Sequence, residues 1–200
     1  GIKRKIQAPE LRVGNKISDL QELIQNRINP ARQLLVLVPD MKTLETVTKE
    51  TSRKFLSYGT HLSSAERVEN YLKILGGKAN LIIGTRSAIF LPLSSDAEII
   101  IVDDLSFAYY ESRFPYWNVR DVALLRAANH SVTFFTYSPS LELVRLVEAK
   151  WMRAKVVRAV KTNLHFKNGR VGYQTVIKNG LRNGPSLILI PEKGYVNTLV

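Results

Sequence analysis

Short apolar runs alternate with amphipathic stretches along this chain. LLVLV (34–38), LIIG (81–84), EIIIV (98–102) and SVTFFT (131–136) are four to six residues long and almost continuously apolar. Runs of that length, rich in β-branched residues, are strands buried on both faces. Between them the period changes to that of a helix. KISDLQELIQNRI (16–28) carries apolar residues at 17, 20, 23, 24 and 28, and Asn29-Pro30 ends it. Further helices are expected over 42–55, over 64–75 up to Gly76-Gly77, over 119–128 and over 140–151. Strand, helix, strand at this spacing makes a mainly parallel sheet with helices on both faces, a three-layer α/β architecture. Ligands of such sheets bind at the carboxyl ends of the strands, here Pro39, Thr85, Arg86, Asp103 and Thr136.

Near residue 152 the pattern weakens. RAKVVRAVKTNLHFKNGR is basic and reads as a linker or an exposed strand. One more unit follows: a helix over 171–182, Asn-Gly turns, and a strand SLILI (186–190). The expected organisation is a lobe at 1–150, a basic linker at 151–170 and the opening of a second lobe at 171–200.

Charge narrows the function. There are 29 basic and 17 acidic residues, a net charge of +12, which attracts polyanions and favours a nucleic-acid partner. No cysteine is present, so disulfides and thiolate metal sites are excluded, zinc among them, and a reducing cytoplasm is the expected setting. The three histidines, His61, His130 and His165, lack ligand spacing. No apolar run approaches the roughly 18 residues of a membrane span. The start, GIKRKIQAPE, lacks the apolar stretch of a secretory signal, and its first residue is Gly rather than Met, as in a fragment.

Three segments carry a resemblance. LIIGTRSAIFLPL (81–93), IIIVDDLSFAYYESRFPYWNVRDVALLRA (99–127) and TYSPSLELV (136–144) are similar to conserved blocks of the primosomal replication-restart helicase family, with weaker likenesses at LLVLVPD and HLSSAER. In order, the likeness covers about 10–200. It implies a RecA-like, P-loop-type first helicase lobe plus the start of a second. It also implies DNA and primosome proteins as partners, and ATP with Mg²⁺ as cofactors.

The same resemblance puts the ATP chemistry in doubt. The family's spacing places the phosphate loop at RVGNKIS (12–18), with Gly14 and Lys16 in binding positions. Val13 and Asn15 stand where glycines belong, and Ile17 where a Mg²⁺-binding hydroxyl belongs. Lys16 is either a phosphate ligand or a solvated lysine at a helix start. Asp103 could hold Mg²⁺, whereas Asp104 replaces the water-activating Glu one methylene short and Ser106 replaces a His. The pair is either a catalytic remnant or a polar strand end.

The DNA-contacting positions are better kept. The resemblance assigns Thr85, Arg86 and Ser87 to the DNA backbone, although Arg86 could instead pair with an acid. In FAYYESRFPYWNVR, aromatics alternate with arginines, and Arg113, Tyr116, Trp117 and Arg120 are candidates for stacking and phosphate contact. Phe107 and Phe114 could equally pack onto the sheet. The basic run Lys150, Arg153, Lys155, Arg158, Lys161, Lys167 and Arg170 is a further electrostatic candidate or a solvated face. The expectation is a DNA-binding protein of replication restart with degenerate ATPase motifs. The alternative is an active ATP-dependent 3′-to-5′ helicase.

Overall fold

A computed structural model describes residues 8–49 and 54–156. The chain divides into two compact units, 1–159 and 160–200. The helix expected at 171–182 and the strand at 186–190 lie outside the described residues.

The first unit is built on a seven-stranded sheet. Its strands are β1 (Glu10–Val13), β2 (Leu34–Leu37), β3 (Leu56–Tyr58), β4 (Leu81–Gly84), β5 (Glu98–Val102), β8 (Ser131–Thr136) and β9 (Arg153–Val156), in the spatial order β3-β4-β2-β5-β8-β1-β9. Every pairing in it is parallel. A two-residue antiparallel hairpin, β6 (Tyr110–Glu111) and β7 (Trp117–Asn118), stands apart from it. The helices are α1 (Ile17–Arg27), α2 (Met41–Lys49), α3 (Ser64–Leu75), α4 (Val119–Arg126) and α5 (Leu141–Glu148).

Alternation along the strands splits the core in two. Val36, Ile83, Ile100, Val102 and Phe135 pack with Leu20, Leu23 and Ile24 of α1 and Leu44 and Val47 of α2. Leu35, Leu37, Ile82, Ile99, Ile101 and Phe134 pack with Ile74 of α3, Val119 and Ala123 of α4 and Leu143 of α5. Two helices therefore cover one face and three the other. Because the strands are parallel, the expected ligand residues share one edge.

Three elements differ from expectation. β1 is a strand although ELRV buries only Leu11, and its place between β8 and β9 supplies the hydrogen bonds that its composition does not advertise. The helix expected over 42–55 is described over Met41–Lys49, and β3 begins at Leu56. The hairpin forms inside a stretch that reads as loop. Between the linker and exposed-strand readings of the basic stretch, 153–156 take the second: β9 pairs residue for residue with β1 at the sheet's edge.

Candidate nucleotide and nucleic-acid site

The turn from β1 into α1 holds Gly14 and Lys16 at the carboxyl edge, between the ends of β8 and β9. The Gly14 amide donates to Thr136 O at 3.1 Å, continuing the ladder. The next two amides, Asn15 and Lys16, donate to one carboxylate oxygen of Asp19 at 2.8 and 3.2 Å. Amides at a helix N-terminus ordinarily converge on a bound anion, with the helix dipole favouring negative charge. Here the anion is the chain's own. Asp19 is buried, and its amide donates back to Lys16 O at 3.0 Å. The Lys16 side chain stays in solvent. Gly14 is required by packing: a Cβ there would stand 2.5 Å from the Phe135 ring and 3.2 Å from the Asp19 Cβ. Phe135 is fully buried and meets Tyr137 edge-on, ring centroids 5.6 Å apart.

The end of β5 separates its two acids. Asp103 takes a left-handed conformation (φ 59°), which aspartate tolerates better than most residues. Its amide donates to Phe135 O at 2.8 Å, and its carbonyl accepts from Ser106 at 3.1 Å. Burial, and then the charge of Asp40, raise the Asp103 pKa. Asp104 is buried and faces the start of α5. Burial raises its pKa, and nearby Ser140 and Arg120 pull it part of the way back. Neither Asp104 oxygen accepts a hydrogen bond of good geometry. Tyr109, fully buried, sets its hydroxyl between Leu37 O at 3.0 Å and Val102 O at 2.8 Å and so bridges the ends of β2 and β5.

These groups make the edge electronegative. Burial and then the charges of Asp19 and Asp103 raise the Tyr137 pKa, and Asp103 and Asp40 act on buried Tyr109 in the same direction. The expected phosphate loop contributes two cations, of which Arg12 pairs with Glu10 at 2.6 Å and Lys16 is exposed. Among the described residues, no three His, Cys, Asp or Glu side chains stand close enough to hold a metal ion.

Past the ends of β3 and β4 the surface changes character. The Thr85 amide donates to Tyr58 O at 3.1 Å. Arg86 opens a short 3-10 helix and reaches the hairpin. Its guanidinium donates to Tyr110 O, pairs with Glu111 at 3.0 Å and lies 5.7 Å from the centroid of the Trp117 ring. Trp117 meets Phe90 edge-on at 4.8 Å. Arg86 and Trp117 together thus anchor the hairpin. Arg120 is turned inward and pairs with Glu142 at 3.2 Å and Asp121 at 3.4 Å. Ser87, Arg113 and Tyr116 are exposed. Phe107 and Phe114 are 91% and 87% exposed, which resolves the open choice against packing. The hairpin therefore displays Phe107, Tyr110, Phe114 and Tyr116 to solvent beside Arg113.

Asp19 and Glu111 are the residues of this region that sequence reasoning passed over, and Tyr109, one of the loop aromatics read as able to stack bases, is fully buried. Asp19 had a legible signal, an acid three positions after the helix start, where a capping carboxylate sits. Glu111 and Tyr109 acquire partners only through the tertiary fold.

No protein-family model matches the chain. Among curated proteins it is similar to the probable replication restart protein PriA of Mycobacterium leprae, 29% identical over 89% of this chain and 32% of the relative. Against the replication restart protein PriA of Bacillus subtilis it is 28% identical over 60% of the chain and 16% of the relative. Against that of Buchnera aphidicola from Schizaphis graminum it is 29% identical over 87% and 27%. The chain spans about a third or less of these relatives. Among solved structures it resembles the Escherichia coli DEAD-box protein SrmB bound to regulator of ribonuclease activity A, with a TM-score of 0.52 at 12% identity over 82% of this chain and 100% of that one. It also resembles the C-terminal domain of the DEAD-box protein Dbp5, with a TM-score of 0.51 at 13% identity over 76% and 90%. These structural likenesses establish a RecA-like α/β fold.

Proposed function

We propose that this chain, a sequence relative of the replication restart protein PriA, is a DNA-binding module of replication restart whose ATP site no longer turns over nucleotide. One observation carries the reading: the amides that would cradle phosphate donate to Asp19 instead. An incoming triphosphate would have to displace a buried carboxylate while entering the field of Asp40 and Asp103. Packing of Phe135 against Gly14 supports the same reading. Asp103 and Asp104 then serve the strand end, and neither ATP nor Mg²⁺ is needed for the module's work.

The DNA-binding side rests on the hairpin. Exposed aromatics can stack bases without reading sequence, while Arg113 and Ser87 contact phosphates. Arg86, Trp117 and Arg120 contribute by fixing the hairpin and the start of α4. The net charge of +12 steers single-stranded or forked DNA onto this surface. Primosome proteins acting in the cytoplasm are the expected company. Fluorescence anisotropy with a labelled DNA fork, across a salt series and with or without Mg-ATP, tests this. The reading expects affinity that falls with salt and ignores nucleotide. An affinity that changes several-fold with Mg-ATP would sink it.

A further inference from the structure

Helix α3 turns its apolar stripe away from the sheet. Val68, Tyr71, Leu72 and Leu75 stand at i, i+3, i+4 and i+7, one face of a helix, and expose 60, 40, 59 and 58% of their surface. Of the helix's residues only Ile74 is buried. Asn70 Nδ2 ties the helix to β3 by donating to Ser57 O at 3.0 Å, and buried Gln33 Nε2 holds its end by donating to Ile74 O at 2.8 Å. The helix is well formed. Its Ser63 cap accepts from the Glu66 amide at 3.3 Å, the Glu66 carboxylate accepts from the Ser63 amide at 2.8 Å, and Glu69 pairs with Lys73 at 2.6 Å. The outward stripe is therefore a property of a regular helix and not of a frayed one.

Beside the stripe lies a cleft of about 340 Å³ lined by Tyr58, Ser64, Arg67, Val68 and Tyr71. It runs onto β3, the edge strand of the sheet. The Arg67 guanidinium meets only the Ser64 hydroxyl, at 3.5 Å, and no described carboxylate stands within ion-pair distance. An apolar stripe bordered by a cation with no ion-pair partner among the described residues, on a chain of net charge +12, complements a surface that is apolar and acidic.

We propose that the α3 stripe and its cleft dock an acidic amphipathic helix of a partner protein. The four side chains span eight residues, roughly 10 Å of helix, which matches two turns of a helix laid across them. The partner's apolar residues, spaced three and four apart, would cover Val68, Leu72 and Leu75, and one carboxylate would reach Arg67. The stripe is mostly aliphatic and offers few planes for base stacking, which separates it from the hairpin surface.

The test uses the 200-residue chain and two fluorescein-labelled designed helical peptides. Both carry leucines at i, i+3, i+4 and i+7; one is flanked by glutamates and the other by lysines. Anisotropy should show micromolar binding of the glutamate peptide and at least tenfold weaker binding of the lysine peptide. Leu72→Glu should weaken the glutamate peptide at least tenfold with an unchanged melting temperature, since Leu72 is exposed. Arg67→Glu should reverse the preference between the peptides. No binding, or equal binding of both peptides to all variants, overturns the proposal. Sedimentation showing a dimer broken by Leu72→Glu would assign the stripe to a second copy, and displacement of the peptide by single-stranded DNA would assign it to nucleic acid. Either result overturns it too.

Discussion

Replacing Asp19 by alanine removes the acceptor for two backbone amides at the start of α1. Loss of an N-terminal cap costs about 0.5–2 kcal/mol, and the lost interaction of a carboxylate with the helix dipole adds about 0.3–1 kcal/mol. The amides of Asn15 and Lys16 can turn to water because both residues are exposed, so no large desolvation penalty is added. The expected loss is therefore about 2 kcal/mol, or about 4–8 °C in melting temperature for a chain of this size. Asp19→Asn keeps one acceptor oxygen without the charge and should lose about half as much. Thermal denaturation followed by circular dichroism reads both. Asp19→Ala should not restore nucleotide binding, because Phe135 still lies against Gly14. A melting temperature within 1 °C of the parent would refute the argument that this carboxylate has taken the place of phosphate; saturable Mg-ATP binding by the variant would instead refute the argument that Phe135 closes the site.

Other outcomes follow from the same geometry. Arg86→Ala should weaken single-stranded DNA binding by releasing the hairpin while leaving the salt slope unchanged; a slope smaller by about 1 would instead mean a direct phosphate contact. Phe114→Ala should cost about 1–3 kcal/mol of single-strand affinity, because one stacking plane is lost. The same change should move stability by less than about 0.5 kcal/mol, since the ring packs on nothing. Asp104 has a folded-state pKa raised by burial, so it binds its proton more tightly in the folded chain than in the unfolded one. Its ionisation therefore subtracts stability as pH rises from the ordinary carboxylate range through the folded pKa. Asp104→Asn should flatten that part of the stability-pH curve and leave the chain at least as stable at neutral pH; urea titrations at several pH values check both.

The fold was legible wherever a segment declared itself locally. α3 is bounded as expected because Ser63 and Glu66 make a capping box and Gly76-Gly77 stops the helix. β4, β5 and β8 are runs of residues that only a two-sided core accommodates. β1 is short and charged, and it is a strand because its neighbours offer hydrogen bonds, which no local pattern reveals. The same divide runs through the site. The resemblance placed Gly14 and Lys16 at a strand-to-helix turn and Asp103 at a strand end, and the structure has them after β1 and β5. The resemblance could not show that Asp19 folds back on the loop, or that Arg86 has Glu111 for a partner, because both depend on where the backbone turns afterwards. Phe107 and Phe114 have the composition of core residues, and only the hairpin's position past the sheet exposes them.

The central claim is that the phosphate loop is closed on the chain's own carboxylate. A calorimetric titration of Mg-ATP into the 200-residue chain, on protein shown to bind a DNA fork, tests it most directly. The account predicts no saturable heat up to millimolar nucleotide. Micromolar binding that disappears in Lys16→Ala would contradict it and return the ATP-driven helicase to the front.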